Sequence, residues 1–114
     1  MLTLDIKQTD TYRKLERKIR ESRAKALISY RVFRLANNLA GDVKPVGQGV
    51  SELRIHHGPG YRVYFKQRGN EVVILLCGGD KSTQQSDIDT AQCLEVEWEG
   101  LWATIFMTTI RRRR

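Results

Sequence analysis

The sequence predicts an α+β domain: an N-terminal strand, a helical hairpin, a three-stranded antiparallel β-meander and a C-terminal helix. Three observations predict it. Apolar residues recur at helical spacing from Thr11 to Leu39, and the period changes to two after Val43. Two turn signals, Gly58-Pro59-Gly60 and Gly69-Asn70, divide the second region into strands. Ser82 with Gln85 three residues later reads as a capping box that opens a last helix over about 83–100.

Each element follows from its residues. Leu2, Leu4 and Ile6 alternate with polar neighbours, a short strand pattern. Thr9 and Asp10 are N-capping types. Leu15 and Ile19 lie four apart, and Ile28, Val32, Leu35 and Leu39 form a stripe, so this region is helical. Ser22 can start a second helix, which makes a hairpin of unequal arms, and Asn37, Asn38 and Gly41 end it. Leu53 and Ile55 face one way, and Glu52, Arg54 and His56 the other. Tyr61, Val63 and Phe65 alternate with Arg62, Tyr64 and Lys66. Gly69-Asn70 suits a two-residue type II′ turn, and the apolar run from Glu71 to Cys77 reads as an interior strand. The helices are then expected on one sheet face, leaving Arg54, His56, Arg62, Tyr64 and Lys66 open on the other.

Composition bounds the function. At 114 residues the chain holds one core, with no room for a dinucleotide-binding fold or a (β/α)8 barrel. Residues 1–100 read as the domain and 101–114 as an apolar extension with an arginine tail, either an interaction segment or poorly ordered. No apolar run approaches the roughly 20 residues of a membrane span. The N-terminus lacks a signal-peptide pattern. Two cysteines, Cys77 and Cys93, cannot staple a disulfide scaffold. A cytoplasmic protein with reduced thiols is expected, with no membrane partner.

Charge is uneven. Residues 13–34 carry nine Lys and Arg against Glu16 and Glu21, and Arg111–Arg114 add four more cations, in a chain of net charge +7. Such a surface attracts a polyanion or an acidic protein partner; a solvated helix face is the plain alternative. The sheet cluster has matching chemistry. Arginine makes planar bidentate contacts to phosphate. Tyr64 suits base stacking, although tyrosine also simply favours strands. His56 titrates near neutrality and can move a proton. These groups could cleave RNA without a metal or other cofactor, one deprotonating the ribose 2′-hydroxyl and the cations meeting the charge on the phosphate. His56 and His57, consecutive in a strand, would point to opposite faces and could not chelate one metal. Cys77 and Cys93 add no zinc-type spacing, and the Gly78-Gly79-Asp80-Lys81 segment is a weak phosphate-loop pattern, better used as a tight turn.

Four blocks carry a resemblance: Gly41-Asp42-Val43-Lys44-Pro45-Val46-Gly47, Gly49-Val50-Ser51-Glu52-Leu53-Arg54-Ile55, Gly58-Pro59-Gly60-Tyr61-Arg62-Val63-Tyr64-Phe65, and Leu76-Cys77-Gly78-Gly79-Asp80-Lys81-Ser82-Thr83-Gln84 followed by Asp87-Ile88. Together they resemble the phage-derived addiction-module killer proteins, a HigB-like branch of the RelE/ParE toxin superfamily. The resemblance implies a RelE-like fold and the toxin of a type II toxin–antitoxin pair. It implies a ribosome-dependent mRNA endonuclease or, alternatively, a ParE-like inhibitor of DNA gyrase. The implied partners are the ribosome and mRNA, a helix-turn-helix antitoxin, and operator DNA reached through the antitoxin complex. By position it implies catalytic roles for Arg54, His56, Arg62, Tyr64, Asp80 and Lys81, and RNA contacts for Lys44 and Gln84; Lys66, in the sheet cluster, and Arg17 and Arg20, on the basic helices, would add phosphate contacts. The sequence departs from the pattern in two places. No Tyr or His follows Asp80 as a terminal acid or base, and residues 101–110 continue past the usual end near Gly100.

Overall fold

The computed structural model describes the backbone of residues 3–112 and the side chains of residues 3–100. The order is β1 (Asp5–Gln8), α1 (Asp10–Lys18), α2 (Ser22–Ala36), β2 (Val43–Gly47), β3 (Val50–Ile55), β4 (Tyr61–Arg68), β5 (Val72–Gly79), a 3-10 turn (Lys81–Thr83) and α3 (Gln84–Arg112). The side chains of the 101–114 extension lie outside the described residues. Among the described residues no helix is long and apolar enough to cross a membrane.

The sheet has five strands in the order β1-β5-β4-β3-β2 and is mixed. This corrects the three-stranded meander. Val43–Gly47 is a strand of its own, antiparallel to β3, and β1 pairs in parallel with β5 from Asp5↔Val72 to Gln8↔Leu75. The N-terminal strand hands directly to α1. Thr9 accepts a hydrogen bond from the Tyr12 amide at 3.0 Å as the helix cap, and its hydroxyl donates to the Leu76 carbonyl of β5. One side chain therefore starts a helix and pins it to the sheet.

Helices cover both faces rather than one. On the first face α1 and α2 bury Ile19, Ala24, Ile28 and Leu35 against Leu53, Ile55, Val63, Phe65, Val73 and Leu75. On the second, α3 packs Ala91, with Ile88, Leu94 and Trp98, over Val50, Tyr64, Ile74, Leu76 and Cys77. A bulge shifts the β4–β5 register between Tyr64↔Cys77 and Phe65↔Leu75. It turns Cys77 to the same face as Leu76, so a strand of period two serves two unequal layers. Beyond it, a Cβ on Gly78 would strike Leu15 of α1 and one on Gly79 would overlap the Asp87 carboxylate of α3. These glycines let helices approach from both sides.

Two smaller expectations change. The β4–β5 loop has three residues, because Arg68 pairs with Val72 and the Glu71 amide donates to the Arg68 carbonyl. The capping box is made not by Ser82 and Gln85 but by Asp80 and Thr83, and it caps the 3-10 turn that leads into the last helix.

Candidate functional site

The second face is not open. Tyr64 and Glu52 are fully buried beneath α3, which corrects the expectation that Tyr64 stacks on a base. Glu52 is the hub of this layer. It accepts from Arg54 Nε at 2.7 Å, Tyr64 OH at 3.0 Å and Gln84 Nε2 at 2.9 Å. Burial pushes its carboxyl up. The three donors and the nearby Arg62 charge outweigh that and hold it below the ordinary carboxylate range. Burial, and then the Glu52 acceptor, push the Tyr64 phenol well above its usual value. Lys66 is also spent: its ammonium meets Glu95 at 2.5 Å and Glu99 at 3.0 Å, and Glu99 takes Arg68 at 2.6 Å. Lys66 therefore faces α3 and not a ligand.

What remains open is the end of this layer, where β3 leaves the sheet, β4 enters it and α3 begins. A groove of about 670 Å³ lies there, lined by Arg54, His56, His57, Arg62, Lys81, Gln84 and the Gly58-Pro59-Gly60 turn. It falls within the range of small-ligand sites, roughly 300–1,000 Å³. Three elements build it. Arg54 and Arg62 are paired across β3 and β4. Lys81 and Gln84 come from the turn into α3. The Lys81 amide donates to the Pro59 carbonyl at 3.4 Å, closing the loop against that turn.

Arg62 is the unusual member. It is 8% exposed, and its Nε is buried without a hydrogen-bond partner among the described residues. Arg54, by contrast, is anchored by Glu52. Its own carbonyl accepts from Arg31 at 2.8 Å, and Arg31 also donates to the Ala40 carbonyl at 3.2 Å. Arg31 thus belongs to the frame, not to the exposed charge of the helical hairpin.

Both histidines sit at the rim, each on a carboxylate: His56 Nε2 lies 2.6 Å from Asp42, and His57 Nε2 lies 2.9 Å from Glu21. The His56 hydrogen bond holds the Asp42 carboxyl below its usual range. β3 ends at Ile55, so the strand rule does not govern these two histidines, and both line the groove. Both lie past the strand, where alternation no longer applies. His57 was not singled out by its sequence. The signal was available, since Gly58-Pro59-Gly60 places it in the turn.

Of the remaining expected residues, Asp80 is a cap. Its carboxylate accepts from the Ser82 hydroxyl and, at 2.8 Å, from the Ser82 amide, and these bonds hold it below its ordinary range. Lys44 is exposed on β2, opposite Glu52 in register and outside the groove. Arg17 and Arg20 are exposed on the helical hairpin, and Arg17 borders a second cleft, with Tyr12, Ile28 and Tyr61, that shares Arg62 with the groove. Among the described residues no three His, Cys, Asp or Glu side chains gather as a metal-holding group.

A family model described as "Phage derived protein Gp49-like (DUF891)" matches residues 10–94, most of the chain. The chain belongs to the phage-derived Gp49-like family. A Haemophilus influenzae protein, described only as uncharacterized, is 49% identical over 96 residues, which is 84% of this chain and 97% of that protein. The Gp49-like match takes in every residue that lines the groove, together with Glu21, Asp42 and Glu52 beside it. The groove is thus part of the Gp49-like domain and not of the C-terminal extension.

Proposed function

We propose that this Gp49-like protein is the toxin of a type II toxin–antitoxin pair, of RelE-like fold in the HigB-like branch, and that it cleaves mRNA on the ribosome in the cytoplasm. The observation that carries the reading is Arg62, a buried arginine whose Nε has no hydrogen-bond partner among the described residues, and which lines the groove together with Arg54 and Lys81. Burying a cation without full pairing is costly. A phosphate bound between Arg62, Arg54 and Lys81 offsets that cost and receives charge-assisted hydrogen bonds.

The chemistry is a transesterification within the RNA strand. The ribose 2′-oxygen bonds to phosphorus, the bond from phosphorus to the 5′-oxygen breaks, and a 2′,3′-cyclic phosphate and a 5′-hydroxyl result. The cations meet the charge that builds on the non-bridging oxygens. Gln84, fixed by Glu52, supplies an orienting amide. The exposed arginines and lysines of α1 and α2 hold ribosomal RNA through salt-sensitive phosphate contacts. The ribosome supplies the substrate geometry on which the rate depends. A small helix-turn-helix antitoxin with acidic groups opposes the basic hairpin, and their complex binds operator DNA through the antitoxin.

The exposed Tyr30 and Phe33 on α2 favour a second reading, a ParE-like inhibitor that grips gyrase by a helical face. Brief induction in bacteria separates the two. The nuclease reading expects primer-extension stops within translated codons and unchanged plasmid supercoiling. Intact mRNA with relaxed plasmid would replace it with the inhibitor.

A further inference from the structure

The transesterification proposed for the groove needs a group that takes the 2′-hydroxyl proton. Two histidines border the groove, and they are not equivalent. The His56 side chain is 69% exposed, whereas the His57 side chain is 23% exposed and is seated between the groove and the start of α2. Its Nε2 lies 2.9 Å from Glu21, the residue that precedes the first turn of α2. Arg54, Arg62 and Lys81 surround the same groove.

The contact with Glu21 decides which ring nitrogen is left for a substrate. An ionised Glu21 carboxylate can only accept, so Nε2 must carry the proton of a neutral ring. In such a ring the Nδ1 lone pair is left to accept a proton. A carboxylate that holds one imidazole nitrogen so the other can take a proton is the arrangement used to activate hydroxyl nucleophiles.

We infer that His57, oriented by Glu21, is the general base that takes the 2′-hydroxyl proton of RNA bound in this groove. The inference rests on the nuclease reading above and adds to it a catalytic residue and a positioning residue. In the step, the 2′-oxygen gives its proton to Nδ1 as it bonds to phosphorus. Arg62 and Arg54 hold the non-bridging oxygens. The departing 5′-oxygen takes a proton from water, and the imidazolium returns its own to solvent. The long reach from residue 21 to residue 57 has a purpose in this account: the helical hairpin sets the ring that the sheet presents.

The test is single-turnover cleavage of mRNA on programmed ribosomes by the wild type, His57→Ala, Glu21→Gln and Arg62→Ala. Binding of a 2′-deoxy, uncleavable mRNA is measured beside it. The expected result for His57→Ala is a rate loss of about a hundred- to ten-thousand-fold, binding within about twofold of wild type, and partial recovery with added imidazole. Glu21→Gln is expected to lose less and to keep binding. His57→Ala cleaving within about threefold of wild type would overturn the inference. So would a loss that tracks weaker binding and ignores imidazole, because that is a structural role. If wild type leaves the mRNA intact, the nuclease reading itself fails. If wild type cleaves, Arg62→Ala does not and His57→Ala does, only the assignment of His57 fails.

Discussion

Removal of the Glu52 carboxylate is the sharpest perturbation of this molecule. Glu52→Ala deletes the acceptor shared by Arg54, Tyr64 and Gln84. The three losses differ. Arg54 is partly exposed and water replaces most of its bond. The Tyr64 hydroxyl is fully buried and is left unsatisfied, which costs about 1–3 kcal/mol. The cavity left by the side chain and the uncompensated charge of Arg62 add to this, and breaking a buried charged network typically costs about 3–5 kcal/mol in all. For a chain of this size that is a Tm lower by roughly 12–20 °C. Urea unfolding followed by circular dichroism measures it, with the slope checked for constancy. Tyr64→Phe in the same background should cost little further, because the hydroxyl has already lost its partner; the two changes are then non-additive by about 1–2 kcal/mol. A loss below about 1 kcal/mol for Glu52→Ala, or strict additivity with Tyr64→Phe, would refute the view of Glu52 as the hub.

Other predictions follow from the same contacts. Glu52 has a folded pKa below its unfolded value, so its contribution is present above about pH 4.5 and is lost as pH falls further; Glu52→Gln should flatten the acid limb of a stability–pH curve. Tyr12 and Tyr64 are shifted the other way, both raised first by burial. Stability should therefore fall as pH climbs past about 10, and less steeply in Tyr12→Phe, as read from urea midpoints. Arg62→Met should abolish function with a stability change within about 2 kcal/mol of zero, since relief of an incompletely paired buried cation and loss of its attraction for Glu52 oppose each other; a larger loss in urea unfolding would contradict this. Burial pushes the Cys77 thiol up to about 12, whereas Cys93 is exposed. Iodoacetamide at pH 8 should label Cys93 in the native protein and reach Cys77 only after denaturation, as peptide mass mapping would show.

Much of the fold was legible because its signals are local. Thr9 caps α1, Ser22 starts α2, Asn38 takes the left-handed conformation after it, and the period of two carries β3 and β4. Non-local pairings were not legible. Nothing within Leu2–Lys7 says that its strand will lie parallel to one more than sixty residues away. The side on which α3 packs was also hidden. Glu52, Tyr64 and Lys66 look like an exposed polar face in a strand pattern, yet Gln84, Glu95 and Glu99 project from α3 onto Glu52 and Lys66. A polar face opposite a helix with matching acids is a buried network, and strand alternation alone cannot tell it from a wet one. The groove was half legible. Arg54, His56, Arg62, Lys81 and Gln84 stand out in the sequence and line one groove, whereas His57 joins them only through the turn that follows β3.

Cleavage on purified programmed ribosomes is the measurement that decides whether Arg62 organises a phosphate-binding nuclease centre. Reporter mRNA would be incubated with the chain or with Arg62→Ala, each with and without ribosomes, and mapped by primer extension. The account predicts cuts within translated codons for the wild type on ribosomes, and none for Arg62→Ala or for free mRNA. Equal cutting by Arg62→Ala, or intact mRNA alongside undiminished toxicity of the wild type in cells, would contradict it.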